Sequence, residues 1–264
     1  MPAEGSLSGR LSLITGASSG IGAACAKAFA QAGARLLILA RRKDRLETLA
    51  NDLSDRYGTE VRVAVADVSN AVTVTSTFEA LPAEWQTVDI LVNNAGLVKG
   101  VAPEWEATAA DVDTMIDTNV KGLLTMTRLC VPGMLARQWG HIINIGSIAG
   151  QETYPGGSIY AATKFAVRAL SRALKMDLLG TPVRVSSIDP GLVETEFSMV
   201  RYDGDEKKAA EIYADTNPLR PEDIADAVLY AATRPAHVNI SEMLVLATDQ
   251  SAARMIHRNK VGGA

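Results

Sequence analysis

Leu11-Ser12-Leu13-Ile14-Thr15 runs without a break into Gly16-Ala17-Ser18-Ser19-Gly20-Ile21-Gly22. The first five residues are a strand-sized, largely apolar run, and the glycines permit a tight turn. The pattern after Gly20 is helical, with apolar residues through Ala32. A glycine-rich turn between a strand and a helix lets backbone approach an anion closely. The helix then offers its free N–H groups and positive dipole end to that anion. Gly16, Ser18, Ser19, Gly20, Ile21 and Gly22 are therefore candidate contacts to a dinucleotide pyrophosphate, the serines adding hydroxyl donors.

Downstream, short Leu/Ile/Val runs alternate with helix-like segments. Candidate strands are Leu11–Thr15, Leu36–Ala40, Val61–Ala66, Ile90–Val92, His141–Ile145, Val183–Ile188 and Met243–Leu246. Candidate helices are Ile21–Ala32, Asp44–Tyr57, Val72–Leu81, Ala109–Arg137, Ile159–Leu179 and Pro221–Thr233. Strands apolar at nearly every position suit a sheet covered on both faces. Their alternation with helices implies parallel pairing through right-handed crossovers. The expectation is an α/β chain: one Rossmann-type, doubly wound parallel sheet of about seven strands, with ligands beyond the strands' carboxyl ends. Pro221 followed by Glu222 and Asp223 makes a favourable first helical turn, while Gly33 and Gly180 follow helical runs as C-terminal caps do.

All 264 residues fit a single dinucleotide-binding catalytic domain. No linker composition, repeat or low-complexity tract divides it. The formal net charge of −4 gives no reason to expect nucleic acid or an anionic membrane as partner. Met1–Arg10 lacks the pattern of a signal peptide, and no apolar run is long enough to cross a bilayer. Cys25 and Cys130 sit in apolar, helix-like surroundings without metal-ligand spacing and read as buried, inert thiols. His141, His237 and His257 form no ligand cluster, so no metal is expected. A cytoplasmic location is the default for such a chain.

The glycine spacing is G-x-x-x-G-x-G, not the commoner G-x-G-x-x-G. With Tyr160-Ala161-Ala162-Thr163-Lys164 downstream, the chain resembles the short-chain dehydrogenase/reductase family in its classical branch. The resemblance covers roughly residues 7 to 248. It implies an NAD(P)-dependent oxidoreductase that moves a hydride between nicotinamide C4 and an alcohol or carbonyl carbon. Asn119, Ser147, Tyr160 and Lys164 match the family's catalytic tetrad, in order and with no member missing.

Residue chemistry gives these positions their roles. Tyr160 and Lys164 lie four apart, hence on one helix face. An ammonium beside the phenol favours phenolate, so Lys164 is expected to lower the Tyr160 pKa. Ser147, just past a strand end, is placed to hydrogen-bond the substrate oxygen. In the family the asparagine holds a water that links to the lysine, and the lysine also binds the nicotinamide ribose. Asp67 with Val68 is the family's adenine-binding position. Asn93-Asn94-Ala95-Gly96 is the turn that lines the ribose, with Asn93, Ala95 and Gly96 as candidate contacts. Pro190-Gly191 lies against the nicotinamide, and Val193 and Thr195 follow as carboxamide or phosphate contacts.

An NAD-specific fold places an acid roughly 20 residues beyond the glycines, on the ribose 2′-hydroxyl. Here the second strand ends Ala40-Arg41-Arg42. Guanidinium groups suit a 2′-phosphate, so Arg41 and Arg42 point to NADP(H).

The substrate is less defined. The stretch 192–215 has the composition of a lid, and its Arg201 is a candidate cation for a small carboxylate, beside Ser147 and Tyr160 at the reacting oxygen. The chain also resembles the NADP-dependent 3-hydroxy acid dehydrogenases, which include serine and allo-threonine dehydrogenases. That resemblance rests on Leu81-Pro82-Ala83-Glu84-Trp85, Met115-Ile116-Asp117-Thr118-Asn119, Gly140-His141-Ile142-Ile143-Asn144-Ile145-Gly146-Ser147, Glu194-Thr195-Glu196-Phe197-Ser198 and Pro235-Ala236-His237-Val238-Asn239-Ile240. It implies serine or 3-hydroxybutyrate-like substrates. A general ketone, aldehyde or 3-oxoacyl reductase is the alternative, and an NADP-binding regulatory protein without turnover is a third reading. Family members are usually homotetramers, and the tail 251–264 is a candidate to pack across a subunit boundary.

Overall fold

The computed structural model describes residues 6–259. Its centre is one parallel sheet of seven strands in the order β3-β2-β1-β4-β5-β6-β7. The strands are β1 (Leu11–Thr15), β2 (Arg35–Ala40), β3 (Val61–Val65), β4 (Ile90–Asn93), β5 (Gly140–Ile145), β6 (Val183–Pro190) and β7 (Glu242–Val245). Each neighbouring pair is parallel, with Leu13 opposite Leu37 on one side and Leu91 on the other. The strand order reverses between β1 and β4, which opens a crevice at their carboxyl ends.

Helices cover both faces, as the continuous apolar strands require. They are α1 (Gly20–Gln31), α2 (Lys43–Tyr57), α3 (Ala71–Glu79), α4 (Ala83–Gln86), α5 (Ala109–Ile116), α6 (Leu123–Ala136), α7 (Ser158–Asp177), α8 (Phe197–Arg201), α9 (Glu206–Glu211) and α10 (Pro221–Ala232). One core packs α1 and α10 on the sheet around Phe29, Ile38, Val92 and Val228. The other packs α3, α6 and the end of α7 around Leu37, Leu91, Met126 and Ile142. Phe29 is fully buried, so truncation to alanine should cost about 3–5 kcal/mol.

Several boundaries differ from the sequence reading. β7 begins one residue earlier than expected, at Glu242, which pairs with Ser187 of β6 and whose carboxylate also binds Arg168 and Arg172 of α7. β6 extends two residues further, to Pro190, held by its pairing with β7. The edge strand β3 is half exposed rather than covered on both faces. The expected helix 109–137 contains a π-helical turn over Asp117–Gly122, between α5 and α6. π-turns of this kind often occur at functional positions, and this one carries Asn119. Gly33 follows the α1 cap with φ +86°, a conformation that suits glycine. Pro221 starts α10, and Asp223 closes a capping box with the backbone of Arg220.

Candidate active site

The crevice is a cavity of about 670 Å³ above the carboxyl ends of β1, β4, β5 and β6. Its floor at one end is the turn after β1. A Cβ on Gly16 would lie 2.9 Å from Ala95 Cα, and one on Gly22 would lie 2.5 Å from the Gly16 oxygen. Glycine is required at both for this close approach of backbone. Helix α1 starts beside the turn with no acid in its first turn and no side chain capping its N-terminal amides. Those donors are free for an anion. Asn94 ties the turn to β4, donating from Nδ2 to the Thr15 oxygen at 2.9 Å. This cradle fits a dinucleotide pyrophosphate.

Gly16, Ser18, Ser19, Gly20, Ile21, Arg41, Arg42, Asp67, Val68, Ala95, Gly96, Pro190, Gly191, Val193 and Thr195 all line the cavity. Two of the expected contacts do not. Gly22 lies behind the turn, where its role is to let Gly16 and Asn94 pack. Asn93 is a correction: its side chain turns into the core, donating to Asn144 Oδ1 at 2.9 Å and Thr127 Oγ1 at 3.3 Å. As the last residue of β4 it follows the strand's alternation, and Asn94 takes the place on the cavity wall.

The two arginines face different partners. Arg41 pairs with Asp67 at 3.4 Å across the β2 and β3 ends. Arg42 donates to Ser18 Oγ at 3.0 Å, to Ser19 Oγ at 2.6 Å and to Glu196 at 2.9 Å. Arg45, one turn into α2, also binds Glu196, at 2.7 Å. The Arg45 and Arg42 guanidiniums hold the Glu196 carboxyl below its usual range. These side chains form a cationic lip at the ribose end of the cavity.

At the other end stand Ser147, Tyr160 and Lys164. Ser147 follows β5 and caps the short turn Ile148–Gly150, its Oγ accepting from Ala149 N at 3.1 Å. Tyr160 and Lys164 share the buried face of α7. Lys164 Nζ donates to the Ile145 carbonyl oxygen at 2.9 Å and lies 5.8 Å from the centre of the Tyr160 ring. The ammonium is thus parked on the end of β5, away from a bond to the phenol. Burial pushes the Tyr160 pKa up, and the Ser147 hydroxyl beside it offsets only part of that rise. The expected lowering by Lys164 is not seen: the Ser147 hydroxyl and the Arg201 charge are what lower this phenol, and burial outweighs both. Burial also brings Lys164 down, to about 8.

Asn119 stands behind the cavity wall. Its Oδ1 accepts from Leu97 N, and its Nδ2 donates to Leu97 O and to Thr163 Oγ1. It thereby fixes the loop after β4 to α7. A Cβ on Gly96 would lie 3.3 Å from Asn119 Oδ1 and 3.7 Å from Lys164 Nζ, so glycine there leaves the two side chains facing one small space.

The lid segment forms α8 and α9 and roofs the site. Phe197 meets the Tyr160 ring edge-on, with centroids 5.7 Å apart. The lid is fastened by Lys99 to Asp203 at 2.6 Å and by Gly100 N to the Arg201 oxygen at 3.1 Å. Arg201 lines the cavity, its guanidinium 5.7 Å from the Tyr154 ring, and its Nε is buried without a hydrogen-bond partner.

Sequence reasoning missed the contribution of the tail. Residues 251–259 fold back over the chain's own lid, where Arg258 donates to the carbonyls of Ile212 and Ala214. Gln250 Oε1 accepts from Leu192 N at 2.7 Å, and Arg254 reaches the cavity with its guanidinium 5.7 Å from the Tyr154 ring. No local motif marks these residues, because only the return of the chain brings them to the site. Tail residues 260–264 lie outside the described ones.

Elsewhere the described residues hold no His/Cys/Asp/Glu group fit for a metal, and no helix long and apolar enough to cross a membrane. Burial pushes the thiols of Cys25 and Cys130 up to about 12, as inert cysteines require.

Comparison with known proteins agrees with this geometry. A family model described as short chain dehydrogenase matches residues 10–206. An NADP-dependent 3-hydroxy acid dehydrogenase of Salmonella typhi is 47% identical over 249 residues, 94% of this chain and 99% of the relative. Sulfoacetaldehyde reductase 2 of Chromohalobacter salexigens is 45% identical over 240 residues, 90% of this chain and 94% of that protein. A closed serine dehydrogenase structure complexed with NADP+ superimposes with TM-score 0.87 at 47% identity, over 94% of this chain and 99% of that one. With a single parallel seven-stranded sheet and a glycine turn, Ser147, Tyr160 and Lys164 on one cavity, the chain belongs to the short chain dehydrogenase family.

Proposed function

We propose that this chain is an NADP(H)-dependent oxidoreductase that interconverts the hydroxyl and carbonyl of a small 3-hydroxy acid, such as serine or a 3-hydroxybutyrate-like substrate. One observation carries the substrate class. The Arg201 guanidinium lines the same cavity as Ser147 and Tyr160, and among the described residues no acid pairs with it at contact distance. A cavity-lining guanidinium without a counter-charge suits a substrate carboxylate. A neutral ketone offers it nothing comparable. Relatives named for 3-hydroxy acids and for a sulfonated aldehyde support an anionic substrate.

Arg41 and Arg42, with no acid at the end of β2, would hold the 2′-phosphate of NADP(H), and Asp67 with Val68 the adenine. When bound, the nicotinamide supplies or accepts the hydride. Ser147 and Tyr160 bracket the substrate oxygen. Tyr160 gives that oxygen its proton in reduction and takes it back in oxidation. Its raised pKa means that the unliganded site keeps the acid form. With substrate and cofactor bound, Lys164 would supply the positive charge that makes loss of the phenolic proton less costly, an effect not seen in the unliganded site, and Asn119 fixes the elements that carry both. Phe197 and the tail exclude water above them.

A cytoplasmic homotetramer is the assembly proposed. Half-exposed Leu124 on α6 and Phe165 on α7 support a subunit contact there. The test of the whole reading is a panel of NADP+ and NAD+ against serine, 3-hydroxybutyrate and neutral secondary alcohols. Turnover of hydroxy acids with NADP+ is expected. Preference for the neutral alcohols would turn the assignment to a general carbonyl reductase.

A further inference from the structure

Asp189 is a buried acid to which the tetrad chemistry gives no role. It is the penultimate residue of β6, just before Pro190, and is 2% exposed. Its Oδ1 accepts from the Ser187 hydroxyl at 2.6 Å, and its Oδ2 accepts from the Gln151 amide at 3.0 Å. Both oxygens act as acceptors, which is the bonding pattern of a carboxylate. No lysine or arginine among the described residues forms an ion pair with it at contact distance. A buried anion needs a counter-charge.

The nearest candidate is Lys164, itself 6% exposed and without an acid at contact distance. Its ammonium rests on the Ile145 carbonyl. The next residue, Gly146, lies directly against Asp189, and a Cβ there would collide with Oδ1. Gly146 N also donates to the Ile188 oxygen at 2.8 Å, which locks the ends of β5 and β6 side by side. Acid and ammonium are therefore held across a single glycine. The other charged groups felt here are Glu242 on β7 and Arg172 on α7, and Arg168 of α7 is bound to the same Glu242. The two arginines are taken by Glu242.

We propose that Asp189 is the counter-charge of Lys164, a positioning residue that keeps the buried lysine an ammonium at neutral pH. The proposal rests on the reading of Lys164 as the charged partner of Tyr160. Electrostatics agree in direction. Burial drives the lysine down to about 8, and the Asp189 charge opposes that fall. Burial drives Asp189 up, with Ser187, Gln151 and the Lys164 charge opposing.

The test is Asp189→Asn. Gln151 can turn its amide oxygen towards the new amide, so the hydrogen bonds remain and only the charge is removed. In the unliganded enzyme the 15Nζ titration of Lys164 is expected to fall by about one pH unit or more. The alkaline limb of kcat/KM should move the same way, so that the loss near pH 9 exceeds the loss near pH 6.5 by about tenfold. Ser187→Ala removes a hydrogen bond and keeps the charge, and should leave the limb in place. An unmoved Lys164 titration in D189N overturns the proposal. In native enzyme the 13C carboxyl signal of Asp189 should report an ionised group from about pH 6 to 9. A protonated Asp189 at neutral pH overturns it even if D189N does not fold. Lys164→Met tests the underlying reading separately: full activity there removes the role of Lys164, whereas the unliganded titrations judge only the pairing.

Discussion

Arg42 and Glu196, 154 positions apart in the chain, meet at 2.9 Å on the lip of the cavity. The same guanidinium also binds Ser18 and Ser19 in the glycine turn. Arg42 therefore joins the cofactor turn, the second strand and the root of the lid. Its fork is preorganised by these bonds, which lowers the entropic cost of receiving a phosphate. Arg42→Ala is expected to raise the Kd for NADP+ by at least about tenfold, the worth of one charge-assisted contact, and to leave that for NAD+ within about threefold. Fluorescence titration with both cofactors checks this. Equal losses for the two would show that Arg42 only supports the lid.

Tyr160→Phe removes one oxygen and keeps the edge-on contact with Phe197. Proton transfer by a positioned side chain contributes about 10²–10⁴-fold. A fall of that size in kcat is expected, with NADP(H) affinity unchanged. Loss of cofactor binding, or survival of activity, would contradict the assigned role.

Arg201 lines the same cavity as Tyr160, with its guanidinium 5.7 Å from the centre of the Tyr154 ring. Arg201→Met keeps much of the apolar stem and deletes the charge. A charge-assisted hydrogen bond contributes about 1.5–3 kcal/mol, so kcat/KM for hydroxy acids should fall by about 10- to 100-fold. Neutral alcohols should lose less than about threefold. The ratio between the two substrate classes is the measurement, and an equal loss on both would indicate a purely structural lid residue.

Lys164 links the site to stability. Its folded pKa of about 8 lies below the ordinary lysine value of 10.5, so between these values the unfolded chain holds a proton that the folded chain has shed. Stability therefore rises with pH through that window, and the full penalty of burying the charge is felt below about pH 8. The gain is at most ~3 kcal/mol. Urea midpoints for wild type and Lys164→Met, compared near pH 7 and pH 9.5, should differ most at the lower pH. A gap that stays constant with pH would show that the lysine pKa is not depressed.

Much of the fold was legible because its signals are local. Strand runs such as Ile90–Val92 are apolar at successive positions, and Pro221 with Asp223 announces a helix start within four residues. Boundaries failed where distant partners intervened. β7 starts at Glu242 through its backbone pairing with Ser187 of β6, and the π-turn at Asn119 is not visible in apolar periodicity. Asn93 was assigned to the cavity from its motif, yet strand alternation turned it inward and gave the wall to Asn94.

Within the site the division is the same. The glycine turn and the paired arginines are legible because chemistry and spacing along one stretch of chain specify them, whereas the order Asn119, Ser147, Tyr160, Lys164 is legible only through the family resemblance, since these residues come from separate elements. Which groups actually touch was decided only by the fold. Lys164 rests on Ile145, Asp189 lies against Gly146, Arg42 reaches Glu196, and Arg254 arrives from a tail that doubles back over its lid. Those relations join residues far apart in sequence, and burial then sets their charges, raising the tyrosine and lowering the lysine. Local sequence determines which groups are supplied. Packing determines how far apart they stand and how dry their surroundings are, and protonation depends on those two quantities.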